Sequence, residues 1–231
     1  MGEQVNLPDE FTNHGHRELF DGELRAIKEG VVRMGFLVSD AIDAAVLALQ
    51  NHDPAAARAV VDADCKINEA QAQLSEMVVT TLATQAPVAR DLHFLMALTH
   101  AAYELERIGD HAAGVAKHVI KLGDAPSPPG PGLQKMGNLV SGLLHRAIRA
   151  LAEMDEEAAR DVAAGDDEVD RLYHAFFERV LRSMQADPAT VTAGTQMLFA
   201  AKDIERIGDR ITNIAEQVVF LRTGEVVDLN P

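Results

Sequence analysis

Only one cysteine, Cys65, occurs among the 231 residues, and tryptophan is absent. A single cysteine excludes any disulfide bond within the chain and is compatible with a reducing compartment. Aromatic residues make up 4% of the chain, whereas hydrophobic residues together make up 47%, with alanine, leucine and valine prominent among them. This composition favours α-helices over β-strands by intrinsic propensity.

Basic residues are also scarce, since 21 Lys and Arg stand against 36 Asp and Glu, a formal charge of -15. Proteins that bind nucleic acids or anionic membranes place clustered Lys and Arg against phosphate groups, so this balance argues against both partners. No apolar run approaches the roughly 18 residues that a membrane-spanning helix needs. The first residues lack the basic and then apolar pattern of a secretory signal, so we expect a cytoplasmic protein without membrane insertion.

Proline and glycine are concentrated in one stretch near the middle of the chain, residues 123–132, which reads GDAPSPPGPG. Such a stretch cannot form the interior of a helix, so we predict a linker there. The rest of the chain contains long segments without proline, several with apolar residues at helical spacing. These segments predict six helices, at about residues 18–51, 55–84, 88–121, 132–153, 156–185 and 189–221.

The two sides of the linker repeat one another. The pentapeptide ERIGD occupies Glu106 to Asp110 and again Glu205 to Asp209, 99 positions later. An identical pentapeptide at the same place in two three-helix units indicates an internal duplication. The predicted fold class is therefore all-α, with six long helices in two pseudo-symmetric antiparallel three-helix bundles.

The predicted bundles occupy residues 17–122 and 133–221. We expect a flexible segment over residues 1–16 and a loosely held tail over residues 222–231. A single continuous six-helix body is the alternative arrangement of the same helices.

Acidic residues recur at helical spacing inside both copies of the pentapeptide. Residues four apart share one face of a helix, so Glu106 lies beside Asp110, and Glu205 beside Asp209. Two negative charges at this spacing repel each other unless a cation lies nearby. Each pair flanks the apolar seam of its predicted helix, which places it at the edge of the core.

The preceding helix of each unit carries an acid on its apolar seam. Asp64 and Asp166 occupy positions where an apolar residue is expected, and they align at an offset of 102. An acid on a core-facing stripe must be paired, hydrogen-bonded, protonated or bound to metal. Together with Asn68 and Asp170, each unit then presents four oxygen-bearing side chains from two helices, a donor set that suits hard cations. The eight candidate metal ligands are Asp64, Asn68, Glu106 and Asp110 in the first unit, and Asp166, Asp170, Glu205 and Asp209 in the second.

A structural network of salt bridges explains the same acids about equally well. Four arginines are available for it: Arg90, Arg107, Arg171 and Arg206. Gly109 and Gly208 lie between the paired acids, where a glycine costs roughly 1 kcal/mol in a helix interior. These glycines suggest the close approach of another helix or of a bound group, and they do not separate the two interpretations.

At these residues the sequence resembles the PhoU family, the regulators of bacterial phosphate uptake and signalling. The resemblance rests on the segments Glu104 to Asp110, Asp203 to Asp209 and Pro87 to Asp91, and it covers about residues 14 to 221 in the right order. It implies a six-helix protein of two three-helix bundles, often a homodimer. It further implies that the paired acids bind divalent or trivalent metal ions, such as iron, manganese, magnesium or zinc.

The resemblance also implies partners and a role. The family is thought to restrain a phosphate-sensing histidine kinase when phosphate is plentiful and to act through the ATPase of the phosphate importer. We therefore expect a negative regulator of the phosphate-starvation response, a signalling adaptor rather than an enzyme. Because Asn68 replaces one carboxylate of the first set, the two sites are not expected to bind metal equally.

Two other functions fit a helical bundle. A di-iron protein without a signalling role requires Glu-x-x-His motifs, and no Glu of this chain has His three positions later. A regulatory module of a sodium–phosphate cotransporter is the other alternative, although here the bundle stands alone. Hydrolase functions find no support, because the chain lacks a G-x-S-x-G motif and a P-loop.

Overall fold

The computed structural model describes residues 9–123 and 131–230, and the side chains of 17–88, 90–123 and 132–230. All regular structure in these ranges is helical, which confirms the predicted all-α fold class. A 3-10 turn at Pro188–Thr190 leads into the last helix. The α-helices are α1 (Asp9–Asn51), α2 (Pro54–Gln85), α3 (Ala89–Leu122), α4 (Pro131–Glu153), α5 (Glu156–Ala164), α6 (Asp166–Ala186) and α7 (Val191–Thr223).

The fifth predicted helix is interrupted at Gly165, which separates α5 from α6. Gly165 N–H donates to the carbonyl of Val162, three residues earlier, at 3.0 Å. A bond over three residues instead of four is typical of a 3-10 turn, which is narrower than an α-helical turn. A side chain at this position would lie 2.5 Å from a methyl carbon of Leu143 on α4. The glycine therefore lets α4 pack closely against the break.

Aspartates begin three of the helical segments. The carboxylate of Asp53 accepts hydrogen bonds from the N–H groups of Ala55 and Ala56, and Pro54 follows it at the first helical position. Asp155 and Asp187 cap the segments that follow them in the same way. Each cap satisfies backbone donors that have no partner within the helix.

The first helix begins earlier than the sequence pattern indicates. Its start at Asp9 corrects the predicted start near residue 18, and residues 1–8 lie outside the described ones. The only helix breaker between Asp9 and Arg17 is a single glycine, Gly15, which a helix tolerates at modest cost. Most of the predicted linker, residues 124–130, also lies outside the described ranges.

The two bundles share one core. α3 packs against α7 in the most extensive helix–helix contact of the described chain, and α1 packs against α4. Fully buried side chains of α3, such as Leu105 and Ile108, belong to the same apolar cluster as Ile204 and Ile211 of α7. Each such side chain contributes roughly 1.5–3 kcal/mol through burial. The duplicated halves therefore form one continuous six-helix body.

Polar contacts across α3 and α7 reproduce the duplication. Arg210 lies 3.5 Å from buried Glu104, and His111 lies 3.1 Å from Asp203. The two acids, Glu104 and Asp203, are 99 residues apart in sequence, and so are the two basic residues, His111 and Arg210. The same offset of 99 separates the two copies of the pentapeptide. Because the earlier residue of one helix contacts the later residue of the other, α3 and α7 run antiparallel.

The tail is attached to the body rather than loosely held, which corrects the expectation from sequence for residues 224–230. α7 ends in Gly224, whose positive φ of 75° allows the chain to turn back. Val227 and Leu229 then pack against the core, and Leu229 N–H donates to Glu216 Oε1 at 2.9 Å. In the described ranges, no helix is long and apolar enough to cross a membrane.

Candidate metal centres

The second set of predicted ligands lies where α6 packs against α7. We call Asp166, Asp170, Glu205 and Asp209 the second carboxylate cluster; Asp166 is 3% exposed and the other three are half-buried. The negative charges of Asp170 and Asp209 both act on Asp166. The core-facing acid of α6 therefore lies within electrostatic reach of the repeated acids of α7.

Asp166 is the most enclosed of these carboxylates. Its Oδ2 accepts a hydrogen bond from Asn230 Nδ2 at 3.1 Å and a long one from Thr212 Oγ1 at 3.5 Å. Its Oδ1 is buried and has no hydrogen-bond partner. A buried carboxylate oxygen without a partner costs free energy that a proton or a cation would recover.

The electrostatics of the cluster disfavour ionisation of Asp166. The pKa of Asp166 is raised from 3.8 to about 7, and burial is the largest cause. The negative charges of Asp209, Asp170 and Glu205 act in the same direction. At neutral pH the carboxyl group therefore holds a proton for part of the time, although a free aspartate would be ionised.

The pKa values of Glu205 and Asp209, in the same cluster, are shifted in the same direction. Burial raises the pKa of Glu205 and of Asp209, and Lys202 opposes both effects. Lys202 Nζ donates to Glu205 Oε1 at 2.5 Å, yet Glu205 Oε2 is buried without a partner. Arg210 and Arg206 also lower the pKa of Asp209, but the net shift of its pKa is still upward, with burial the largest cause. An excess of negative charge is the environment that attracts a multivalent cation.

The first carboxylate cluster, formed by Asp64, Asn68, Glu106 and Asp110, is more open. Burial and then the charge of Asp110 raise the pKa of Asp64 and of Glu106. Asp64 Oδ1 is buried without a partner, whereas Asn68 and Asp110 are exposed. The two clusters repeat in sequence but differ in burial, so equal affinity for a ligand is not expected.

The salt-bridge network that competes with this interpretation is not formed. Within the described side chains, the pair of Lys202 with Glu205 is the only ion pair that involves any of the eight candidate ligands. Arg107 and Arg206 are exposed, and Arg171 pairs with Glu168 instead.

The donor atoms nevertheless do not yet form a finished metal site. Among the described residues, no three His, Cys, Asp or Glu side chains converge as a group that could hold a metal ion. The unpartnered oxygens of Asp64, Asp166 and Glu205 fit a hard cation chemically, because carboxylate oxygens are its preferred ligands. Metal binding therefore stays a prediction that requires side-chain rotation.

The glycines between the paired acids mark close approaches between helices. A Cβ atom on Gly208 would lie 2.2 Å from Asp166 Oδ1, and one on Gly109 would lie 2.9 Å from Ile67 Cδ1. Glycine is thus needed so that the side chains of α6 and α2 can lie against α7 and α3. In the second cluster the atom in contact is itself a carboxylate oxygen.

Gly208→Ala is expected to lower the free energy of unfolding by about 1–3 kcal/mol, because the added methyl group displaces the Asp166 carboxylate. The matched control is Gly142→Ala on α4, where an added Cβ meets nothing within 4 Å. That change should raise the free energy of unfolding by about 0.5–1 kcal/mol through helix propensity. Urea denaturation of both variants measures the difference, and equal effects would contradict the close approach of Asp166 to Gly208.

Some residues around these centres were not identified from the sequence. Asn230 reaches the second cluster from the tail, and no spacing rule connects it to α6. Asp203 lies between His111 and His118 of α3; burial alone would raise its pKa, but the hydrogen bonds with these histidines lower it. The same contact raises the pKa of His118. These contacts join the two halves beside the candidate centres.

Comparison with known proteins connects this architecture to one family. The sequence model of the PhoU domain matches twice, at residues 31–119 and 133–218. A phosphate-specific transport system accessory protein PhoU homolog from Rhizobium meliloti is 34% identical over 92% of this chain and 91% of its own length. A homolog of the same description from Streptococcus pneumoniae is 33% identical over 93% of this chain and 100% of its own.

Solved structures agree with the sequence comparison. The crystal structure of PhoU from Pseudomonas aeruginosa superposes with a TM-score of 0.85 at 32% identity, covering 89% of this chain and all of that one. The phosphate transport system regulatory protein PhoU from Streptococcus pneumoniae gives the same TM-score over 90% of this chain. The likeness therefore extends over both halves of the fold.

Proposed function

Because the chain belongs to the PhoU family, we propose that it is an accessory regulator of phosphate transport that restrains the phosphate-starvation response. The observation that carries the proposal is the match of the whole chain, both halves included, to proteins described as phosphate-specific transport system accessory proteins.

The proposal assigns the carboxylate clusters to metal ions. Asp166, Asp170, Glu205 and Asp209 would hold a divalent or trivalent cation in the second cluster, with the first cluster as its weaker counterpart. Iron, manganese, magnesium and zinc are the candidates, and the all-oxygen donor set favours the harder ions among them. A bound cation would supply the positive charge that the repelling carboxylates lack. The residues themselves orient the ligand oxygens and tie α6 to α7.

The partners follow from the same role. We propose that the protein contacts the ATPase of the phosphate importer and a phosphate-sensing histidine kinase in the cytoplasm, as a homodimeric signalling adaptor without enzymatic activity. The net charge of -15 supports protein or cation partners rather than nucleic acid. A metal-binding bundle without a signalling role is the alternative, and the experiment below separates the two.

The regulatory role is tested in a bacterium that lacks its own PhoU gene and carries this one. Such a strain makes alkaline phosphatase in phosphate-rich medium, and we expect this chain to return phosphatase activity to the level of the parent strain. An empty vector sets the derepressed level, and immunoblotting of the soluble fraction confirms expression. Two results together would leave the alternative function standing: derepressed phosphatase in the presence of soluble protein, and unchanged phosphatase when the gene is deleted in the native host.

A further inference from the structure

The contact between α1 and α4 carries a second sequence repeat. Residues 34–39 read MGFLVS and residues 136–141 read MGNLVS, at an offset of 102. The equivalent residues Ser39 and Ser141 meet within the contact, with their Oγ atoms 3.2 Å apart. Equivalent residues that contact each other lie close to a twofold axis. The two ends of the contact are therefore counterparts of each other, and differences between them reflect differences in sequence.

One end of this contact is bridged and the other is open. At the bridged end, Gln50 Nε2 of α1 donates to Gln134 Oε1 of α4 at 3.0 Å, and the cavity beside this bond measures about 220 Å³. The counterparts of these two residues are Ala152 and Val32, at the offset of 102. Neither side chain can form a hydrogen bond. The space between the helices at that end measures about 430 Å³.

We call the open end the α1–α4 groove. Apolar residues of both helices line it: Val32, Gly35 and Phe36 of α1, and Ile148 and Ala152 of α4. A Cβ atom on Gly35 would lie 2.9 Å from Ile148 Cγ1, so the two helices meet there. Phe36 is 57% exposed, and its ring centroid lies 6.1 Å from that of His145 on α4. An exposed aromatic side chain beside an apolar groove is typical of surfaces that bind another protein.

Two arginines of α4, Arg146 and Arg149, also line the groove, and both are exposed. Neither forms an ion pair within the described side chains. Their counterparts on α1 are Ala44 and Leu47, so the duplication does not account for this positive charge. Unpaired guanidinium groups at the edge of an apolar groove favour a partner that carries carboxylates.

We propose that the α1–α4 groove binds an amphipathic α-helix of a partner protein. Its apolar residues would fill the groove, and its Asp or Glu residues would pair with Arg146 and Arg149. A groove between two helices suits a helix, which presents apolar residues on one face at spacings of three and four. The apolar lining and the net charge of -15 argue against nucleic acid and anionic membranes. The inference rests on the adaptor part of the proposed function and adds to it the surface and the chemistry of the partner.

The phosphatase assay described above tests the groove in cells. We expect the wild type to restore repression, and a variant with Arg146→Glu and Arg149→Glu to leave phosphatase near the level of the empty vector. The matched control carries Arg58→Glu and Arg90→Glu, two exposed changes on α2 and α3 that alter the net charge equally. This control should repress like the wild type.

The outcomes of this assay separate the two proposals. Repression by the wild type and by the groove variant alike would overturn the role of the groove alone. Derepression in the control as well as in the groove variant would assign the effect to net charge and would also overturn it. Failure of the wild type to repress would count against the proposed function itself.

A binding experiment with purified protein tests the chemistry of the partner without relying on regulation. The probe is a phage-displayed library of amphipathic helical peptides with randomised polar positions. We expect the selected peptides to be acidic and to bind the Arg146→Glu, Arg149→Glu protein at least about tenfold more weakly. Changing their acids to Lys should restore binding to that variant, and Phe36→Ala should weaken binding without changing the charge preference.

Three results of this experiment would overturn the proposal. The first is a selection that yields no peptides, or peptides without an excess of acids. The second is equal binding of the selected peptides to the wild type and to the groove variant. The third comes from sedimentation of the protein alone: a dimer that dissociates in the groove variant would place a second copy of this chain, not a partner helix, in the groove.

Discussion

Asp166→Asn is expected to stabilise the metal-free protein at pH 8 by up to about 4 kcal/mol. Asp166 is 3% exposed, and its pKa rises from 3.8 to about 7 in the folded protein. The folded chain must therefore hold an ionised, buried carboxylate at pH 8 that the unfolded chain exposes to water. Asparagine keeps the shape and the acceptor oxygen of the side chain but cannot ionise.

The pH dependence follows with a definite sign. Between pH 3.8 and about 7 the folded protein binds more protons at Asp166 than the unfolded protein does, so the stability falls as the pH rises through this window. Below the window both states are protonated and the cost vanishes. The variant should lack this fall, and its advantage over the wild type should shrink toward pH 4.

Chemical denaturation after treatment with a chelator measures this effect at several pH values. Asp167→Asn is the matched control, because it removes the same charge from the exposed neighbouring position of α6. An Asp166→Asn protein less stable than the wild type at pH 8 would show that the carboxylate is well accommodated without metal. The proposal of a cation in the second cluster would then lose its main energetic support.

The helical plan was predictable because its boundaries are local. Asp53 and Asp187, each followed by a proline, begin helical segments in a way that sequence alone specifies. The repeated pentapeptide located the third helix of each half. The break at Gly165 was missed because a lone glycine is tolerated in most helices, and its close contact with Leu143 is visible only in the structure.

The burial of the site could be predicted only in part. Asp64 and Asp166 align in the two repeats, and both lie on core-facing stripes, yet only Asp166 is fully buried. The difference comes from Thr212 and Asn230, which contact Asp166 over separations of 46 and 64 residues. Periodicity reports which face of a helix a residue occupies but not which distant segment covers it.

The path of the tail illustrates the same limit. Its seven described residues contain no helical pattern, and Gly224 signals only the end of α7. The return of the tail depends on the burial of Val227 and Leu229 and on the acceptor Glu216, which lies two helical turns before that end. Contacts of this kind depend on the assembled surface, so they become visible only in the structure.

Alanine at both Asp110 and Asp209 is expected to abolish the metal binding that we propose for the carboxylate clusters. Each of these acids lies in one cluster, and its negative charge raises the pKa of carboxylates on the neighbouring helix and on its own. Their removal lowers the excess negative charge of both centres at once and takes away a proposed ligand from each. Loss of a direct ligand lowers metal affinity by at least about tenfold to a hundredfold, as even outer-shell changes do.

Elemental analysis of protein purified without a His-tag and without chelators tests this account most directly. The control carries Asp62→Ala and Asp167→Ala, two exposed acids outside the clusters, so that both double variants change the net charge equally. We predict bound metal in the wild type and in the control, and little or none in the Asp110→Ala, Asp209→Ala protein. Equal metal in the two double variants, or a wild type without metal, would contradict the assignment of the carboxylate clusters as metal centres.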